Sequence, residues 1–183
     1  MLTLETVNQA SQEEFVQLFG DLFEHSAWIA EKAYETKPFS SFQEMHQHMV
    51  NIVKNASTRE KLTLIQAHPS LGDKVQMSQN SINEQQGAGL QDLTPAEYEN
   101  FLTLNQHYQS KFGFPFIIAV RGKDKHQIYE AMNTRINNPT EVEFETALLQ
   151  IYQIAKLRLL EKMTMKTEAA EAANNNLTNK ERL

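Results

Sequence analysis

FGFPFIIAVRG, residues 112–122, is the stretch on which the fold class turns. Phe116, Ile117, Ile118, Ala119 and Val120 form an apolar, partly β-branched run between Pro115 and Gly122, and periodicity alone allows a buried strand. A strand needs a neighbour to take its backbone N–H and C=O groups, and the rest of the chain offers no convincing second strand. The run is therefore expected to be a buried extended segment, with at most a turn of helix, in an otherwise helical protein.

Outward from this run the sequence is organised as helices with marked starts. Ser or Thr followed three residues later by Glu is the capping-box pattern, in which each side chain satisfies an orphan backbone N–H. It occurs at Ser11/Glu14, Ser41/Glu44, Ser81/Glu84, Thr94/Glu97 and Thr140/Glu143, with Pro95 at a favoured first helical position. Apolar residues then recur at helical spacing. Phe15, Leu18, Phe19 and Leu22 mark one helix, Trp28 to Tyr34 a second, and Met45, Met49, Ile52 and Val53 a third. Leu62, Ile65 and Ala67 mark a helix leading to His68, and Tyr98, Phe101, Leu102, Asn105 and Tyr108 the face of a long one ending near Gly113. Ile128, Met132 and Ile136 define another, and 142–163 the longest, with Leu148, Leu149, Tyr152, Ala155 and Leu159 on its buried side. The expected architecture is all-α: a compact single-domain multi-helix bundle, residues 1–166, with a buried extended segment near 113–121. Residues 167–183 lose the large apolar side chains, gain three consecutive Asn, and are expected to form a flexible tail.

Composition removes several function classes. With no cysteine there is no disulfide, no Cys-ligated zinc and no thiol catalysis. A net charge of −6 argues against nucleic acid as a partner, because that binding depends on clustered Lys and Arg. No apolar run approaches the roughly 20 residues that span a bilayer, and the first residues lack a secretory pattern. These features suit a cytoplasmic protein that has no membrane partner. The six histidines do not form a metal-binding pattern. His46 and His48 are two apart and point to different helical faces, and Glu44/His48 has no second pair to join it.

His68 stands directly before Pro69, which disfavours the α region for its predecessor and donates no backbone hydrogen bond. That places His68 off the end of a helix, fixed yet able to face a cleft, although an isolated histidine is more often structural than catalytic. Ser81 and Glu84 can be a cap and nothing more. The sequence after them, QQGAGL, carries two glycines that each weaken a helix by roughly 1 kcal/mol, so Ser81, Glu84 and Gln85 are equally readable as parts of a cleft. Arg121 is either a surface cation ending a buried segment or a carboxylate clamp beside an apolar wall.

Taken together, AHPSLGDK (67–74), SINEQQGAGL (81–90) and LNQHYQSKFGFPFIIAVRG (104–122) closely resemble the OHCU decarboxylase family, whose substrate is 2-oxo-4-hydroxy-4-carboxy-5-ureidoimidazoline. The motifs occur in order across residues 67–122, and the flanking helices, roughly 7–66 and 123–163, fit the family's length and helical fold. The resemblance implies a small α-helical enzyme, commonly a homodimer, that needs no cofactor and converts this ureide to (S)-allantoin and CO2 in urate degradation. It implies that His68 is catalytic with Glu84, that Pro69, Ser81 and Gln85 contact substrate, and that Phe116, Ile117, Ile118, Ala119, Val120 and Arg121 line it. Ser70 departs from the Asp frequent in the family, a change expected to touch supporting packing or helix capping. The C-terminal KERL differs from the peroxisomal address of some members. A non-catalytic helical module binding ureides or purines is the alternative, disfavoured by the intact His68, Glu84 and Arg121.

Overall fold

The extended run finds its hydrogen-bond partners in side chains and in the turn that follows it. In the computed structural model, which describes residues 2–72 and 78–180 with side chains described as far as Thr164, no strand occurs among the described residues. The Ile117 carbonyl accepts from Arg135 Nη1 at 2.8 Å, and the Ala119 N–H donates to Gln150 Oε1 at 2.9 Å. The Val120 carbonyl accepts from the Lys123 N–H at 2.9 Å, turning the chain just after the run. Phe114 and all five residues from Phe116 to Val120 are buried. The sequence expectation of a buried extended segment in an all-α protein is met, and these bonds are the reason it needs no sheet.

The helices in chain order are α1 (Leu4–Gln9), α2 (Gln12–Phe19), α3 (Trp28–Tyr34), α4 (Phe42–Asn55), α5 (Thr58–Gln66), α6 (Gln79–Gly87), α7 (Pro95–Phe112), α8 (Lys125–Arg135) and α9 (Thr140–Lys180). They group into two compact units. The first contains residues 1–22, 26–55 and 155–183; the second contains 23–25 and 56–154. Residues 181–183 of the expected tail lie outside the described residues, and its earlier part falls on the α9 backbone.

In the first unit Phe15 is the centre of an aromatic cluster, with ring centroids 5.0 Å from Phe19, 5.9 Å from Tyr34 and 6.0 Å from Phe39. Offset and edge contacts of this kind add to the burial of large rings. Asn8 holds the Phe39 backbone on both sides, accepting from its N–H at 2.9 Å and donating to its carbonyl at 2.8 Å.

The second unit is organised around a buried carboxylate. Glu143 is 0% exposed, and its Oε1 accepts from Arg135 Nε at 3.0 Å, from Arg135 Nη2 at 2.5 Å and from the Tyr108 hydroxyl. Asn138 Nδ2 donates to its other oxygen at 2.8 Å. The Arg135 guanidinium also lies 4.3 Å from the centroid of the Phe116 ring. Burial first, and the Glu143 carboxylate second, raise the Tyr108 phenol well above its usual pKa, so it stays a donor.

Several sequence expectations change in detail. Ser11/Glu14 and Thr94/Glu97 form full capping boxes. At α4 the Glu44 N–H donates to Ser41 Oγ, but the Glu44 carboxylate accepts from Ser40. Thr140/Glu143 fails as a box because Glu143 turns inward to Arg135 and Tyr108, where burial makes a counter-charge worth more than a cap. Leu149, expected on the buried side of α9, is 59% exposed, while Leu148, Ile151 and Tyr152 carry the buried stripe. The buried face of α7 is Phe101, Leu104, Tyr108 and Phe112, displaced from the expected stripe of 98, 101, 102, 105 and 108.

Arg135→Met is expected to lower unfolding free energy by about 3–5 kcal/mol in chemical denaturation, since it leaves Glu143 buried without its counter-charge. Lys162→Met, which removes a partly exposed ion pair to Asp21, is expected to change stability by less than about 1 kcal/mol.

Candidate active site

His68 follows directly on the end of α5. The helix closes at Ala67, whose N–H bonds the Thr63 carbonyl, and the His68 N–H bonds that of Ile65 at 3.2 Å. The residue is 8% exposed, and its ring Nδ1 lies 3.0 Å from the Leu64 carbonyl. A carbonyl only accepts, so Nδ1 carries the proton and Nε2 is the nitrogen that can exchange one. The His-Pro placement has thus produced a ring pinned by one nitrogen to the helix it leaves.

The loop after it is tied down from two helices. The Gly72 N–H donates to Gln85 Oε1 of α6 at 3.0 Å, and Asn105 Nδ2 of α7 donates to the Leu71 carbonyl at 2.8 Å. Gly72 adopts φ +71°, a conformation that favours glycine, and a Cβ there would lie 3.1 Å from Leu93 Cδ1. The structure therefore joins the first two sequence motifs through Gln85 and Gly72, and the third through Asn105. Asp73 and Lys74, which end the first motif, lie outside the described residues.

α6 starts three residues earlier than the SINE pattern predicts. Its cap is Ser78, whose side chain accepts the Ser81 N–H at 3.2 Å. The Ser81/Glu84 box is therefore corrected: Ser81 lies inside the helix, where its own hydroxyl is not needed for capping. Ser81, Glu84 and Gln85, at i, i+3 and i+4, share one helical face. Ser81 and Gln85 are buried and Glu84 is half-buried. Gly87 ends the helix and Gly89 takes φ +74°, so the two glycines terminate α6.

The Ser81 hydroxyl donates to Glu24 Oε2 at 3.0 Å. Glu24, 2% exposed and contributed by the short 23–25 segment, was missed by sequence reasoning. The available signal was a carboxylate in LFEHSAW, a stretch whose residues, His25 apart, are otherwise apolar or small. Asn105 was legible only as a polar interruption of an apolar face. Pro69 is half-buried beside His68, and Arg121 is exposed at the turn after Val120. Of the backbone groups expected to line a ligand, the Ile117 carbonyl, the Ala119 N–H and the Val120 carbonyl already have partners within the protein. Among the described residues no three His, Asp or Glu side chains are grouped to hold a metal ion. None of the described helices is long and apolar enough to cross a membrane.

This is an all-α protein that buries a histidine in an anchored loop, the glutamine that anchors it, and a serine–glutamate pair whose serine shares the glutamine's helical face. Residues 8–160 match the family model described as OHCU decarboxylase, and the chain belongs to that family. The uric acid degradation bifunctional protein PucL of Bacillus subtilis is 46% identical over 168 residues, covering 92% of this chain and 34% of that protein. A similar protein of Bacillus sp. is covered to 36%, so the chain spans about a third of the length of these bifunctional relatives. The 2-oxo-4-hydroxy-4-carboxy-5-ureidoimidazoline decarboxylase of Halalkalicoccus jeotgali is 46% identical over 160 residues, covering 87% of this chain and 91% of the relative. A crystal structure of an (S)-allantoin synthase superposes with a TM-score of 0.73 at 33% identity, covering 88% of this chain and 54% of that one.

Asn105→Leu removes the donor that holds the Leu71 carbonyl and also removes Asn105 Oδ1, a buried acceptor with no hydrogen-bond partner among the described residues. The two effects oppose, so stability is expected to stay within about 1 kcal/mol of wild type. Hydrogen exchange at residues 68–72 is expected to accelerate while exchange in the middle of α7 stays unchanged.

Proposed function

We propose that this chain decarboxylates 2-oxo-4-hydroxy-4-carboxy-5-ureidoimidazoline to (S)-allantoin and CO2 in urate degradation. The observation that carries the reading is the His68 ring, fixed through Nδ1 in a loop that the family's second and third motifs anchor. The substrate's own chemistry sets what the protein must do. The carbon that bears the carboxylate also bears a hydroxyl and adjoins a ring C=N. When its bond to CO2 breaks, the electron pair flows into that C=N, leaving an enol whose ring nitrogen takes up a proton. The hydroxyl proton then leaves as the carbonyl forms, and a proton is added to the carbon carrying the ureido group. One proton is taken up overall and the substrate is its own electron sink, so no cofactor is called for.

His68 Nε2 is suited to both proton tasks. As the unprotonated nitrogen it accepts the hydroxyl proton, and as imidazolium it delivers one to carbon. Glu84, on the face shared with Ser81 and Gln85, orients the hydroxyl and ureido groups. Ser81, Gln85 and Pro69 contact the substrate, Phe116 to Val120 supply an apolar wall that favours departure of uncharged CO2, and Arg121 attracts the anion. A homodimer acting in the cytoplasm on this small ureide completes the reading and rests on the resemblance of the three motifs.

Freshly generated substrate incubated with the protein is expected to release CO2 well above the spontaneous rate and to give a transient optical signal from one enantiomer of allantoin. A proton donor held at one side of the substrate is the physical basis of that selection. His68→Ala and Glu84→Gln are each expected to lower kcat at least a hundredfold while melting temperature stays within a few degrees. Binding without turnover by the wild-type protein would favour the non-catalytic module, and racemic product at the earliest times would withdraw the roles of His68 and Glu84.

A further inference from the structure

A buried carboxylate that the proposed mechanism does not use touches a residue that it does. Glu24 is 2% exposed and reaches Ser81 from 57 positions away in the sequence. Removing a carboxylate from water costs several kcal/mol before any partner is counted. The helix does not require this contact. Ser78 already caps α6 by accepting the Ser81 N–H, so the Ser81 hydroxyl has no capping duty and its single proton goes to Glu24 Oε2. Glu24 also sits on a shaped piece of backbone. The next residue, His25, is the one non-glycine residue with positive φ among the described residues, at +45°, and its Nε2 lies 3.8 Å from Glu24 Oε1. A non-glycine residue in that region is uncommon and is held there by its surroundings.

We infer that Glu24 is a positioning residue that fixes the polarity of Ser81: by taking the hydroxyl proton it makes Ser81 Oγ present lone pairs to the ligand. This rests on the proposed function and deepens it by naming the substrate edge that meets Ser81. A hydroxyl whose proton is committed accepts from an N–H and repels a carbonyl oxygen. Ser81 therefore reads an N–H of the ureido group or ring, while the carboxylate and carbonyl oxygens of the substrate lie elsewhere. Glu24 touches none of the reacting atoms, so its effect falls on binding.

The test is a double-mutant cycle between Glu24→Leu and Ser81→Ala, read as KM and kcat for 2-oxo-4-hydroxy-4-carboxy-5-ureidoimidazoline together with melting temperature. Glu24→Leu is expected to raise KM about tenfold, the scale of one hydrogen bond between polar groups, with kcat within threefold of wild type. In the Ser81→Ala background the same change is expected to raise KM less than twofold, because the residue through which Glu24 acts is gone. Glu24→Gln, which keeps an oxygen acceptor, is expected to restore most of the lost affinity. Equal effects of Glu24→Leu in both backgrounds, or a loss of kcat with KM unchanged, would overturn the inference. If Glu24→Leu does not fold, Glu24→Gln in the two backgrounds decides: a KM change above twofold that is the same with and without the Ser81 hydroxyl would overturn it, and any change that vanishes with the hydroxyl, or none in either, would support it. A wild-type protein with no decarboxylase activity would instead overturn the proposed function itself.

Discussion

The second unit depends on one constraint: a backbone segment buried without a sheet must find its hydrogen bonds outside a strand ladder, here chiefly in side chains. Arg135 meets that demand while solving a second problem. One of its nitrogens bonds the Ile117 carbonyl, two others bond Glu143, and its flat face covers Phe116. An isolated buried arginine or glutamate would be strongly unfavourable, and the pair is tolerated because Tyr108 and Asn138 complete the carboxylate's bonding. Four elements, α7, α8, the extended run and the start of α9, thereby meet at a single charged knot. Gln150 adds a second attachment at Ala119, so the run is held at two points two residues apart.

The loop carrying His68 follows the same rule at smaller scale. It has no regular structure, and its conformation comes from three side-chain or ring contacts with neighbouring backbone: His68 with Leu64, Gln85 with Gly72, and Asn105 with Leu71. Polar side chains on α6 and α7 do for the loop what Arg135 and Gln150 do for the extended run. Each uses a directional bond to a main-chain group, and such bonds set position more narrowly than apolar contact does. The acid–base role proposed for His68 requires that narrowness, because a proton donor misplaced by an ångström loses much of its advantage. The family's three motifs are in this sense one object: a histidine loop and the two side chains that grip it.

Much of this was legible in the sequence, and the exceptions are instructive. Most helix positions followed from apolar spacing, α1 and α6 excepted, and the caps at Ser11 and Thr94 followed from local chemistry, since the bonds involved span three residues. Ser81/Glu84 stayed open between a cap and a cleft because Ser78 competes for the capping role, and only the backbone shows which serine has the non-helical conformation that a cap requires. Thr140/Glu143 was misread because a glutamate three residues after a threonine looks the same whether it caps a helix or turns inward. Leu149 was assigned to the wrong side of α9 because a leucine beside a buried leucine lies about 100° round the helix, and only the packed structure shows where the buried stripe ends.

What the sequence by itself determined is whatever depends on near neighbours: the all-helical class, the helix starts at Ser11 and Thr94, the exclusion of thiol chemistry, and the motifs that mark the family. The tertiary structure alone decided the long-range polar partners. Glu24 reaches Ser81 across 57 residues, Asn105 reaches Leu71 across 34, and Tyr108 reaches Glu143 across 35. A hydrogen bond is made between atoms about 3 Å apart whatever their separation along the chain. A residue's identity restricts what it can bond, and the folded backbone chooses which of the candidates comes within reach.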